Sequence, residues 1–283
     1  MCVTKTHENL TRLAVIIPCF NDGQLVEEAV ASISEDEPVE VVVVDDGSTD
    51  PETARRLDAL EEGGVIVVHR ENGGLGAARN TGLAATSAPL VYPLDADDLL
   101  EPGALRAMAE VLEGHPEAGF TWGDYVVFGD YDGRYRAPDR FLPWTLTYVN
   151  PYPVCSLFRR TVLERAGGWQ RPWGYEDWDL WLRLIELNVA GVYSARAVYR
   201  RRIHGDSRML VIARRRHKEL YAELVQRNAR LMSRREQLRG LERPAVWKRV
   251  LYPVVFGSRS VLPVRFEVFL QRSMLQLGGG LPG

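Results

Sequence analysis

From Leu13 onward, short apolar runs alternate with segments whose apolar positions recur at helical spacing, the pattern of βαβ units that assemble a parallel sheet. Leu13 to Ile17 is the first expected strand, stopped by Pro18. Asn21 or Asp22 can cap the next helix, because Leu25, Val26, Ala29, Val30 and Ile33 fall on one face. Val39 to Val44 is nearly continuous valine, a composition expected of a strand buried on both faces. Asp50-Pro51-Glu52 combines a cap, a first-turn proline and an acid at a helix N-terminus, and the helix should run through Leu60. A strand at Val65 to Val68, a small-residue helix at Leu75 to Ala85, a strand at Leu90 to Leu94 and a helix from Pro102 to near Gly114 continue the alternation.

Beyond Gly119 the pattern changes. Phe120 to Phe128, followed by Tyr131-Asp132-Gly133-Arg134, predicts a hairpin, and the aromatic stretch to Pro153 predicts loops around a pocket. A strand is expected at Val154 to Phe158 and a helix at Arg160 to Ala166, broken by Gly167-Gly168-Trp169. Glu176 to Leu187 reads as a helix, Gly191 to Tyr199 as a strand and Arg200 to Ser207 as a polar loop. From Leu210 the pattern is helical and basic, with breaks near Gly240, Pro244 and Gly257. The expected organisation is a tail at 1–12, an α/β domain at 13–209 and a mainly helical extension at 210–283.

Charge sharpens that division. The net charge of −3 averages two unlike parts. Residues 211–283 carry fifteen Lys and Arg against five acids, and residues 1–210 carry 20 against 33. The acidic majority argues against a nucleic-acid partner. Cys2, Cys19 and Cys155 are too few and too scattered for a disulfide framework or zinc cluster, which fits a reducing compartment. Neither a signal-peptide core nor a run of about 18 uncharged apolar residues occurs, so a cytoplasmic protein is expected, with peripheral contact at the inner face of a membrane left open.

Four segments carry candidate chemistry. Asp95-Ala96-Asp97-Asp98 emerges from the C-terminal end of an expected strand, where open α/β sheets bind ligands, and hard oxygen donors there suit Mg²⁺ or Mn²⁺. Glu176-Asp177-Trp178-Asp179 opens a helix. Asp45-Asp46-Gly47-Ser48-Thr49-Asp50 ends the second strand, where it is either a turn with a helix cap or a site for a base or ribose. Asn72-Gly73-Gly74-Leu75-Gly76-Ala77-Ala78-Arg79-Asn80 brings glycines to a helix N-terminus, a setting for anionic groups, without the spacing of a dinucleotide or P-loop motif.

Taken in order, Ile17 to Asn21, Val44 to Asp50, Asn72 to Asn80, Leu94 to Asp98 and Gly174 to Leu180 closely resemble the family 2 glycosyltransferases of GT-A fold, over about residues 13 to 207. The resemblance implies a Rossmann-like mixed sheet flanked by helices, with transfer of a sugar from a nucleotide-diphosphate sugar to an acceptor hydroxyl. Pro18, Phe20, Asn21, Asp45, Asp46, Asn72, Arg79, Asp95 and Ala96 would then bind the donor. Asp95 and Asp97 match the Asp-X-Asp element that holds Mn²⁺ or Mg²⁺, with Asp98 a second candidate and His204 a loop histidine beside the metal, or simply a solvated one. Asp177 matches the catalytic base, supported by Glu176, and a helix N-terminus should keep it ionised.

Trp169, Trp173, Tyr175 and Trp178 are either sugar platforms for the acceptor or core packing. A UDP-sugar is the first expectation for the donor, with dTDP and GDP sugars open. The acceptor is a glycan, a lipid-linked glycan, a surface polymer or a protein. A non-catalytic carbohydrate- or nucleotide-binding scaffold and a sugar nucleotidyltransferase are the competing readings. For 210–283 the readings are a helical cap on the acidic domain, a homodimer contact, or a face for an anionic membrane.

Overall fold

Strand β1, Leu13–Cys19, is buried at every position, as a central strand between two parallel neighbours must be. A computed structural model describes residues 11–130, 132–170, 174–204 and 208–256. Helix α1 (Gly23–Ala31) leads to β2 (Val39–Asp45), α2 (Pro51–Glu62), β3 (Ile66–His69), α3 (Leu75–Ala85) and β4 (Leu90–Pro93). Strands β2 and β4 flank β1 and β3 flanks β2, all in parallel. Asp50 caps α2 with its side chain, accepting from the Glu52 and Thr53 amides, and Pro51 opens the first turn as expected. Gly82 lets α3 lie close on the sheet, because a Cβ there would stand 2.9 Å from Ile16 Cβ.

The second half reorganises the sheet. Strand β5 (Leu99–Leu100) and α4 (Ala104–Glu113) precede the long β6 (Ala118–Gly129), its partner β7 (Gly133–Tyr135) and the single turn α5 (Pro143–Leu146). Then come β8 (Leu157–Arg159), α6 (Arg160–Ala166), α7 (Glu176–Glu186) and β9 (Ala190–Ile203). The strand order is β3-β2-β1-β4-β8-β6-β9-β5, with β7 attached to β6. This is a mixed sheet: β8 runs antiparallel to β4 and β6, whereas β9 runs parallel to β6.

Several elements differ from expectation. Strand β9 continues through Arg200–Ile203 instead of ending at Tyr199, because β6 pairs with it as far as Gly129 and Arg200 and Arg202 lie over the Phe128 ring, both 4.6 Å from its centroid. The strand expected at Val154 begins only at Leu157, where pairing with β6 starts. The two-residue β5 has no alternation to announce it. The outer half of β2, Val39 to Val41, is only half-buried, since β3 pairs with β2 only from Val42 onward. The hairpin from β6 to β7 forms as expected; Tyr131 in its turn lies outside the described residues.

The basic extension folds as α8 (Arg208–Arg227), α9 (Ala229–Ser233), α10 (Arg235–Glu242) and α11 (Val246–Val255). It packs back on the α/β domain. Tyr221 Oη and Arg235 both donate to the Thr147 carbonyl, at 2.8 and 2.7 Å. The buried Glu242 carboxylate accepts from Thr145 N and Oγ1 at 2.9 and 2.6 Å, and Tyr252 stacks on Trp144 with centroids 5.6 Å apart. Among the described residues no helix is long and apolar enough to cross a membrane.

Candidate active site

The C-terminal ends of β1, β2, β3 and β4 converge on one edge of the sheet, where loops are free to carry ligand-binding groups. Pro18 is buried in β1 beside Val44, and Phe20 stands half-buried just past the strand. Asn21 adopts a left-handed conformation with φ of 61°. From there its Oδ1 accepts from the Thr49 and Asp50 amides at 2.8 and 3.0 Å, pinning the 46–50 loop against β1.

Asp45 ends β2 with one carboxylate oxygen accepting from the Ser48 amide at 2.8 Å and the other 3.0 Å from His69 Nδ1. Burial opposes its charge, but Ser48 and His69 outweigh it and hold the carboxyl below its usual range. Asp46 works differently. Its carboxylate accepts from the Gly73 and Gly74 amides at 3.0 and 2.7 Å and from Arg70 at 2.9 Å, and Asn72 donates to its carbonyl at 2.8 Å. It therefore shapes the glycine loop instead of projecting toward a ligand. Asn72 itself is exposed at that loop's edge.

After β4, Ala96 is buried and the acids separate by environment. The Asp95 and Asp97 side chains are 28% and 32% exposed. His204 Nε2 comes within 3.2 Å of Asp97 Oδ2, so the histidine and the Asp-X-Asp element meet across 107 positions. Burial and the Asp95 charge push the Asp97 carboxyl up, and His204 pulls it back. Two open, mutually repelling carboxylates beside an imidazole are a donor set that a hard divalent cation fits.

Asp98, the further metal candidate, is buried and accepts from the Arg202 amide at 2.9 Å. Burial and its acidic neighbours push its carboxyl up, against the Arg202 amide. Ligand atoms of Asp95, Asp98 and Cys155 do lie within 4.8 Å of one another. Burial raises the Cys155 thiol well above its usual range, and a soft sulfur donor suits a hard divalent cation less well than oxygen does.

The second acidic cluster opens α7, entered through Tyr175 at φ of 58°. Asp177 is half-buried and accepts from Asn150 Nδ2 at 2.9 Å. Asn150 is itself fixed by the Tyr152 amide, which donates to its Oδ1 at 3.0 Å. A helix N-terminus led us to expect an ionised Asp177. Desolvation and the adjacent Glu176 charge instead raise its carboxyl to about 7, against the opposing pull of Arg79 and the Trp178 amide.

Arg79 is fully buried rather than open to a diphosphate. It donates to Asp95 Oδ1 at 2.6 Å and to Glu176 Oε1 at 2.8 Å. One guanidinium thus ties the two acidic clusters together, with the Trp169 ring 5.9 Å from it.

The aromatic residues divide. Trp169 and Trp178 are 2% and 5% exposed and belong to the core; the Trp178 indole donates to the Leu146 carbonyl at 2.7 Å. Trp178 therefore has no open face for an acceptor, whereas Tyr175 is half-buried and hydrogen-bonded to His217 of α8 at 2.6 Å. Trp173, and Ser207 at the end of the expected polar loop, lie outside the described residues. Asn150, His69 and His217 were not anticipated; each lies far in sequence from the group it touches and has no motif around it.

The family model for glycosyl transferase family 2 matches residues 14–167. The glycosyltransferase GlyG of Streptococcus pneumoniae is 27% identical over 166 residues, 56% of this chain and 51% of GlyG. Among solved structures, S. aureus TarS 1–349 in complex with UDP-GlcNAc superposes with a TM-score of 0.63 at 18% identity, covering 91% of this chain and 83% of that one. The mannosyltransferase PcManGT from Pyrobaculum calidifontis in complex with GDP-Man and Mn²⁺ gives 0.61 at 19% identity over 94% and 81%. The chain spans less than two thirds of the length of the first curated relatives it matches, 21%, 51% and 61%. It belongs to glycosyl transferase family 2, with the GT-A fold.

Proposed function

We infer that this chain moves a sugar from a nucleotide-diphosphate sugar, a UDP-sugar in the first instance, to an acceptor hydroxyl with inversion at the anomeric carbon. The observation that carries this reading is Asp177, whose carboxyl is raised to about 7 while Asn150 orients it. A carboxylate whose proton affinity is raised in this way is a stronger base than a free one, suited to take a hydroxyl proton as the new bond forms. Attack from the Asp177 side displaces the nucleoside diphosphate in a single step, and no covalent intermediate on the protein is required.

On the donor side, Asp45 would accept from the base, and Pro18, Phe20 and Asn21 would line its pocket. Asp95, Asp97 and His204 would hold Mn²⁺ or Mg²⁺, which supplies charge neutralisation for the departing diphosphate. Arg79 would keep Glu176 and Asp95 in register, so that acceptor and donor are presented to each other at fixed separation. TarS is solved with UDP-GlcNAc and PcManGT with GDP-Man and Mn²⁺, which supports a nucleotide-sugar donor without choosing among them. The acceptor side, bounded by Tyr175, suits a glycan, lipid-linked or protein hydroxyl.

A panel of nucleotide sugars with Mn²⁺, Mg²⁺ or EDTA tests the proposal. Stabilisation by one donor in the presence of metal, with slow release of nucleoside diphosphate, is expected. Indifference to every donor would remove the donor assignment and favour a scaffold.

A further inference from the structure

Helix α11 stands with one side in the protein and the other in solvent. Tyr252 is buried against Trp144. The other side presents Val246, Trp247, Val250 and Leu251, which are 71%, 38%, 61% and 42% exposed. Positions 246 and 250, and 247 and 251, are one turn apart, so the four form a continuous apolar stripe. Leu241, at the end of α10, is 73% exposed beside the start of α11. These are most of the large apolar side chains exposed among the described residues.

Cations border the stripe. Arg243 and Arg249 are exposed, and the Lys248 ammonium lies 5.5 Å from the Trp247 ring centroid. Between Arg243 and Phe266 the chain carries five cations, Arg243, Lys248, Arg249, Arg259 and Arg265, and no carboxylate. The neighbouring acids are committed elsewhere, Glu242 to Thr145 and Glu236 to Arg239.

We propose that α11 lies in the surface of an anionic lipid leaflet, with Val246, Trp247, Val250 and Leu251 among the acyl chains and Arg243 and Arg249 against the headgroups. Apolar residues on one face, flanking cations and a tryptophan at the boundary are what an in-plane interfacial helix requires. Each cation close to an anionic surface raises the partition about fivefold.

A second copy of the chain fits less well. A helix of ten residues is about 15 Å long and about 10 Å wide, so its outer face offers on the order of 150 Å² against the roughly 800 Å² per partner of a stable interface. Self-pairing through this stripe would also bring like cations together.

The test is co-sedimentation of the full chain with vesicles of equimolar phosphatidylglycerol and phosphatidylcholine, and with phosphatidylcholine alone. Binding to the anionic vesicles at low salt, at least tenfold weaker to neutral ones, is expected. Combining Val246→Glu with Val250→Glu should cut it more than tenfold without changing the melting temperature, and Arg243→Gln with Arg249→Gln should weaken it and flatten its salt dependence. Three results each overturn the proposal. The chain could stay in the supernatant at low salt; the glutamate pair could lower the melting temperature, meaning that the stripe is covered within the protein; or the chain could sediment as a dimer that the glutamate pair dissociates.

Discussion

Arg79 and Glu176 are 97 positions apart, yet guanidinium and carboxylate meet at 2.8 Å in the protein interior. The other arm of the guanidinium reaches Asp95. The residue therefore couples the acids that end β4 to the acids that open α7. Replacing it by Met leaves two carboxylates without their counterion, one of them buried. Arg79→Met should cost about 3–5 kcal/mol of stability and lower turnover more than donor affinity. Urea unfolding read beside donor titration checks both parts.

Asn150 donates to the ionised form of Asp177 more strongly than to the neutral form, so its removal favours the proton. In Asn150→Ala the acid limb of the pH profile for kcat/KM should move up by about one pH unit. An unmoved limb would mean that Asn150 does not set the ionisation of Asp177.

The same carboxyl makes stability depend on pH. Its folded-state affinity, about 7, lies above the unfolded value of about 3.9. It contributes stability in full below about pH 4, and that contribution is lost as pH rises through about 7. Asp177→Asn escapes the loss. It should match the natural protein near pH 4 and exceed it at pH 8 by about 2 kcal/mol, a figure discounted for solvent reaching a half-buried group. Melting temperatures at the two pH values check this.

The ring of Tyr252 anchors α11 on Trp144. Tyr252→Ala should cost about 3 kcal/mol and release α11 first, which faster amide exchange at 246–255 would register ahead of the rest of the chain.

Much of this was legible in the chain. The β1 to β4 core announced itself through short valine- and leucine-rich runs, and the acids at their ends could be read as ligand groups because open α/β sheets bind ligands there, although Asp46 and Asp50 are spent on the glycine loop and the α2 cap. Helix α2 was readable from Asp50, Pro51 and Glu52 alone. Contacts between distant segments were not. Arg79 reads as a basic residue in a glycine-rich helix start, and only the meeting of its guanidinium with Asp95 and Glu176 in the fold shows it turned inward. Asn150 sits in a stretch with neither period nor motif, and Asp177, legible as the match to the family's base, reads as an ionised helix-start acid until burial and Glu176 raise it. The continuation of β9 through Arg200–Ile203 was hidden by its arginines, which are paired with aromatic rings and so need not form a loop.

The most direct test is sugar transfer by Asp177→Asn, with donor affinity measured on the same protein by calorimetry. Transfer should fall by about 10³-fold or more while the donor binds as tightly as to the natural protein. Full turnover in the variant would contradict the assignment of Asp177 as the base, and with it the proposed mechanism.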